Sequence, residues 1–216
     1  MKIFPGSKGA RWRLGALVLA LFAVLGSQLG WAVIGKVRYR MQEGDLVFQS
    51  LPNPPGMDLV DAIEGATGSP YSHCGVVVKK GGRWMVLESI GEVRETPYDQ
   101  WILRGRQRRF SVYRLREEHQ PRIPAWIAEM RKDMGKPYDI YYAMDDDLIY
   151  CSELPWKAWK RLTGESMGTT VPLGTLDWKP YADVIRAIEK KDEIPVDRVM
   201  ITPRDLAMAS QLELVQ

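Results

Sequence analysis

The chain has 216 residues, 45% hydrophobic and 10% aromatic, with 30 basic and 27 acidic side chains. That suffices for one globular domain with its own core, while two cysteines with no Cys-x-x-Cys exclude a disulfide framework and a cysteine zinc site. Lys2, Lys8, Arg11 and Arg13 precede the first apolar run; without these four the balance is 26 basic to 27 acidic, so the body carries no electrostatic footprint for nucleic acid.

From Leu14 to Gly35 the chain reads LGALVLALFAVLGSQLGWAVIG, uncharged, with Ser27 and Gln28 as its clearly polar side chains. At about 1.5 Å per residue such a helix spans the roughly 30 Å hydrocarbon core of a bilayer. We read residues 14–35 as a single transmembrane anchor, between a basic tail (1–13) and a juxtamembrane linker (36–43). The alternative is a signal peptide cut at Gly26 or Ser27. Basic residues flank both ends, and the four before the run favour an N-terminus in the cytoplasm. The body would then lie on the periplasmic side of a bacterial inner membrane.

The soluble body, residues 44–216, opens with Gly44-Asp45-Leu46-Val47-Phe48, a turn followed by a core strand. Breakers from Pro52 to Tyr71 frame a short helix with Leu59, Val60 and Ile63, a loop–helix–loop that would supply the pocket walls. SHCGVVVKKGGRWMVLES, starting at Ser72, reads as a β-hairpin. A strand from Phe110 to Leu115 follows the basic stretch Arg104 to Arg109. A helix carrying Ile123, Trp126, Ile127 and Met130 on one face ends at Gly135. Another follows Cys151 to about Leu162, a third spans about Tyr181 to Lys191, and Thr202-Pro203 starts a short last one. Strands first and helices after make an α+β domain.

Within this frame three residues suggest chemistry. If Lys79 to Gly82 form a four-residue loop, His73 lies directly opposite Glu88; if Gly81 and Gly82 alone turn, the two are diagonal neighbours on one face. A three-residue turn would separate them. Gly75 leaves that face open beside the imidazole. Pro155 cannot donate to the carbonyl of Cys151, so the helix is expected to begin with Ser152 as N-cap. Cys151 would then sit at the positive end of the helix, where a thiolate is favoured. Cys74 must point away from His73 and reads as a core residue; a Cys74–Cys151 disulfide would abolish activity. His119 reads as an exposed loop residue. Asp145-Asp146-Asp147 lacks the ligand spacing of a metal loop and reads as solvated, so no metal or cofactor is expected.

GDLVF (Gly44 to Phe48), SHCGVVV (Ser72 to Val78), VLES (Val86 to Ser89), GKPYD (Gly135 to Asp139), YCSEL (Tyr150 to Leu154) and ITPRDLA near the end together resemble the YiiX-like permuted papain-fold cysteine hydrolases, circularly permuted relatives of NlpC-type cell-wall amidases. The likeness covers nearly all of Gly44 to Val215. It implies a permuted papain-like domain whose antiparallel sheet or barrel precedes the cysteine helix. It also implies a cysteine peptidase or amidase with Cys151 as nucleophile, His73 as base and acid, and Glu88 as the residue orienting His73. The backbone amide of Cys151 would form half an oxyanion hole, and Tyr138 is a candidate for the substrate-pocket wall. Pro155 departs from the pattern, where an aliphatic residue is expected. The implied substrate is a short peptide or a peptidoglycan-stem fragment. Two alternatives stay open: a lipid acyl hydrolase or acyltransferase of the same fold, and a non-catalytic ligand-binding module.

Overall fold

The computed structural model describes residues 39–216. The expected anchor over residues 14–35 lies outside them; among the described residues no helix is long and apolar enough to cross a membrane. Six antiparallel strands form one sheet: β1 (Leu46–Gln49), β2 (His73–Lys80), β3 (Arg83–Ile90), β4 (Glu92–Pro97), β5 (Phe110–Leu115) and β8 (Leu212–Leu214). Their order is β4-β3-β2-β1-β5-β8, with β4 and β8 as the edges. Helices α1 (Leu59–Thr67) and α2 (Tyr98–Arg104) interrupt the strands, and α3 (Ile123–Arg131), α4 (Glu153–Thr163), α5 (Ala182–Glu189) and α6 (Pro203–Ala207) follow β5. A two-residue ladder joins β6 (Val171–Pro172) to β7 (Val199–Met200).

The β2–β3 turn is the two-glycine version. Gly81 and Gly82 hold φ of 55° and 79°, the left-handed pair that a tight hairpin turn needs. It sets Val76 opposite Leu87 and Lys80 opposite Arg83, which makes His73 and Glu88 diagonal neighbours on one face.

Alternation sends Leu46, Phe48, Cys74, Val76, Val78 and Leu87 to the main core, against Trp126 and Met130 of α3 and Leu154 and Trp159 of α4. Trp126 and Trp159 meet edge to face at 5.9 Å, and truncating either to Ala would cost about 3–5 kcal/mol. The other face carries Val47, Gln49, His73, Val77, Val86 and Glu88, all buried. There α2 packs on β3 and β4.

Three local departures from the sequence expectations have physical causes. Strand β4 and helix α2 were not anticipated, because EVRETP is charged and ends in proline, the composition of an edge strand rather than of a core one. His119 is not in an exposed loop: it is half-buried in a 3₁₀ turn (Glu117–Arg122) with its ring edge-on to Trp159 at 5.5 Å. Helix α3 ends at Arg131, and a turn region carries the chain to Gly135. Asp145 accepts from the backbone N–H groups of Asp147 and Leu148, so the acidic triplet is a solvent-facing turn.

Candidate active site

Cys151 lies just ahead of α4, whose N-cap is Ser152. Pro155 is the third helical residue, where a missing N–H costs little, and the amide of Leu154 still reaches the carbonyl of Tyr150 at 3.3 Å. The departure from the family pattern therefore leaves the helix intact, and the carbonyl of Pro155 accepts from Trp126 Nε1 at 2.9 Å. Glu153 bends its carboxylate back to the amide of Tyr150 at 3.1 Å, closing the first turn as a capping-box glutamate does. Burial pushes Glu153 up to about 7 despite its ion pair with Lys157.

The motif segments of the sequence have physical jobs around this turn. Tyr150 Oη accepts from the amide of Ile201 at 2.9 Å, and Ser152 Oγ donates to the carbonyl of Ile201 at 2.7 Å. The C-terminal ITPRDLA segment thus clamps both neighbours of Cys151. Ser89 Oγ, next to Glu88, donates to the carbonyl of Ile149 at 2.5 Å. The GKPYD segment runs between β4 and Ile149: Tyr138 N–H donates to Gly91 O at 2.9 Å and Ile149 N–H to Pro137 O at 3.0 Å.

His73, the first residue of β2, is 1% exposed, and Glu88 is fully buried. His73 Nε2 and Glu88 Oε2 are 2.5 Å apart, which leaves Nδ1 to meet Cys151. Two donors beyond the predicted set complete the carboxylate: Thr96 Oγ1 donates to Glu88 Oε1 and Arg104 Nη2 to Glu88 Oε2, each at 2.5 Å. Burial alone would neutralise Glu88, but His73, Arg104 and Thr96 outweigh it and hold the carboxyl below its usual range. Burial likewise opposes charge on His73, yet the bonds and charges of Cys151 and Glu88 raise it to about 9. Cys151 is pushed well below the ordinary thiol value, first by the hydrogen bond from Cys74 and then, against burial, by His73. Cys74, pushed up mainly by burial, stays a neutral S–H donor. Both cysteines are free and buried. The arrangement favours an imidazolium–thiolate pair.

Tyr138 comes to the same place: its hydroxyl neighbours Cys151 and Tyr142, and burial raises it well above the usual phenol value. His73, Ser72, Arg104, Tyr138 and Tyr142 line a cleft of about 350 Å³ whose opposite wall is Leu51 to Pro54 with Leu59, Val60 and Ile63. The breaker-rich loop and α1 thus form the wall.

A cysteine at a helix start facing a sheet histidine and carboxylate, in the order His, Glu, Cys, is the permuted papain arrangement. The model of the permuted papain-like amidase family (YaeF/YiiX, C92) matches residues 40–216. The chain belongs to this family. It is 30% identical over 182 residues to the uncharacterized protein YiiX of Escherichia coli strain K12, covering 82% of this chain and 87% of that protein. It is also similar to the crystal structure of metalloprotein YiiX from Escherichia coli O157:H7, with a TM-score of 0.75, 30% identity, and coverage of 82% of this chain and 98% of that one. The family's fold, a mixture of helices and antiparallel sheet, is that of residues 44–216. Arg104 and Thr96 are the site residues that sequence reasoning missed. Arg104 stands in the basic run RGRQRR, to which the sequence assigned no role, and Thr96 in a strand that was not predicted.

Proposed function

We propose that this member of the family is a thiol hydrolase cleaving an amide bond through Cys151, His73 and Glu88. The carrying observation is the buried hydrogen-bonded line from Glu88 through His73 to Cys151, with His73 bordering a cleft. The thiolate attacks the carbonyl carbon, forming a C–S bond while the carbonyl oxygen becomes an oxyanion. The Cys151 amide, at the helix start, and the Tyr138 hydroxyl, which neighbours Cys151, would receive that charge. His73 gives its Nδ1 proton to the leaving nitrogen, the C–N bond breaks, and an amine departs. His73, now neutral, takes a proton from water; the hydroxide attacks the thioester, the C–S bond breaks and a carboxylic acid leaves, restoring the thiolate–imidazolium pair. Glu88 holds the ring and stays ionised throughout.

The substrate we favour is a short peptide or peptidoglycan-stem amide, met at the outer face of an inner membrane to which residues 14–35 anchor the domain. The amidase description of the family supports the bond type. A second reading, an acyl substrate of lipid type, is favoured by one observation. An apolar cavity of about 110 Å³ shares Leu59, Ile63 and Tyr142 with the cleft, and could take an aliphatic part of the acyl group. A relative is described as a metalloprotein. In this chain no group of three or more His, Cys, Asp or Glu among the described residues fits a metal, so no step is routed through one.

The test is product analysis on stem peptides and on N-acyl or O-acyl lipids with full-length protein. A new peptide amine, absent with Cys151→Ser, supports the first reading; a released fatty acid supports the second; neither product overturns both. Tyr138→Phe should lower kcat about tenfold to a hundredfold with KM little changed.

A further inference from the structure

Four charges stand in one connected line beside the cleft. Glu88 Oε2 is 2.5 Å from both His73 Nε2 and Arg104 Nη2, and His73 bonds Cys151 in turn. With Glu88 and Cys151 negative and His73 and Arg104 positive, the line as a whole is neutral. Its members do not reach the surface equally. Cys151 is 2% exposed and the side chains of His73 and Glu88 are 2% and 0% exposed, whereas that of Arg104 is 24% exposed. The guanidinium is therefore the charge that a molecule in the cleft meets first.

The rest of the cleft leaves that charge unanswered. No Asp or Glu is among its lining residues, and besides His73 and Arg104 its polar members are Asn53, Ser72, Tyr138 and Tyr142. Ser72 Oγ is spent on the amide of Leu51 at 2.9 Å. The nearby acids at the start of α1, Asp58 and Asp61, accept from Asn53 Nδ2 at 3.4 and 2.8 Å, and Asp61 also pairs with Arg106 at 2.7 Å. A guanidinium carries five N–H donors. Arg104 gives one to Glu88, and its Nε is enclosed without a partner. Nη1 is not enclosed and makes no hydrogen bond among the described residues. A guanidinium edge of this kind matches a carboxylate in both charge and geometry.

We infer that Arg104 is a specificity-determining residue, its Nη1 edge taking a free carboxylate of the substrate while Nη2 holds Glu88. The inference rests on the reading of Cys151 as the nucleophile at this cleft. The imidazole ring and one carboxylate oxygen separate Cys151 from the guanidinium, a span of about two extended residues at about 3.5 Å each. The carboxylate thus belongs one or two residues from the scissile carbonyl, at a chain end or on a side chain. Amides of acidic peptides are the class this selects, over neutral acyl compounds.

Affinity alkylation tests it on full-length protein in neutral detergent. Bromoacetyl-glycine, bromoacetyl-glycylglycine and bromoacetyl-glutamic acid α-amide each carry a carboxylate at such a distance from the carbon that the thiolate attacks, where a C–S bond forms and bromide leaves. Each is compared with its neutral amide, and both rates are divided by those on glutathione. At least one acid should label Cys151 about fivefold or more faster than its amide, the low end for a charge-assisted bond at a partly exposed site. A preference in the glycine pairs indicates a chain terminus, and one in the glutamic acid pair a side chain. Arg104→Met should abolish the preference and Arg104→Lys keep part of it, whatever either does to acid and amide alike through Glu88. Amides that label as fast as the acids in wild type, or a preference that survives Arg104→Met, would overturn the inference and leave the nucleophile in place. A Cys151 that iodoacetamide also fails to label would overturn both.

Discussion

Arg104→Met removes one of three donors from a fully buried carboxylate while keeping most of the side chain's volume. Breaking a buried ion pair on one side can cost about 3–5 kcal/mol. Glu88, however, keeps His73 and Thr96, and the Arg104 side chain is 24% exposed, so the loss falls nearer the range of about 1.5–3 kcal/mol for a hydrogen bond to a charged group. The pH dependence follows from the direction of the Glu88 shift. Its folded pKa is depressed below the unfolded value of about 4.3. That contribution is present above the unfolded value and lost as pH falls through the folded one. Without the guanidinium the depression shrinks, so the pH-dependent loss that Glu88 contributes starts at the same unfolded value, is smaller, and is complete at a higher pH than in wild type. Urea unfolding from pH 3 to 8, beside rates of Cys151 alkylation, reads both effects. A variant with wild-type stability and an unchanged acid limb would refute the assignment of Arg104 as one of the groups that keep Glu88 ionised.

Gly75→Ala should disable the site: the added methyl would stand 2.4 Å from Val86 Cγ1 and 3.1 Å from Glu88 Cβ, costing about 1–3 kcal/mol of strain and displacing Glu88 from His73. Activity lost beyond the loss of stability, measured by alkylation rate against melting temperature, is the expected sign. Cys74→Ala should raise the apparent pKa of Cys151 without abolishing its depression, since His73 remains to stabilise the thiolate; an unchanged titration curve would remove Cys74 from the account. The alkaline limb of any activity profile should fall with an apparent pKa of about 9, as His73 loses its proton.

Much of the site was legible because it depends on local geometry. The glycine pair at Gly81-Gly82 decides the hairpin register, and that register brings His73 and Glu88 together whichever even turn is chosen. Pro155 fixes where α4 can start and so where Cys151 stands. What the sequence hid depends on tertiary contact. Arg104 stands at the start of a basic run, and its bond to Glu88 depends on where α2 sits on the sheet, with the Trp101 ring of that helix 6.4 Å from the ring of His73. His119 was misjudged because nothing near it in sequence signals the face of Trp159. The free thiol of Cys74 was legible as a core residue, but its bond to Cys151 arises where two elements 77 positions apart meet.

The central claim is a thiolate at Cys151 sustained by His73. Iodoacetamide labelling of Cys151 and Cys74 against pH, under reducing conditions, in wild type and in His73→Ala, tests it most directly. The account predicts that Cys151 labels with an apparent pKa well below about 8.5, that Cys74 stays unreactive over the same range, and that His73→Ala returns Cys151 toward ordinary thiol behaviour. A Cys151 that titrates like a free thiol in wild type, or whose apparent pKa does not rise when His73 is lost, would contradict it.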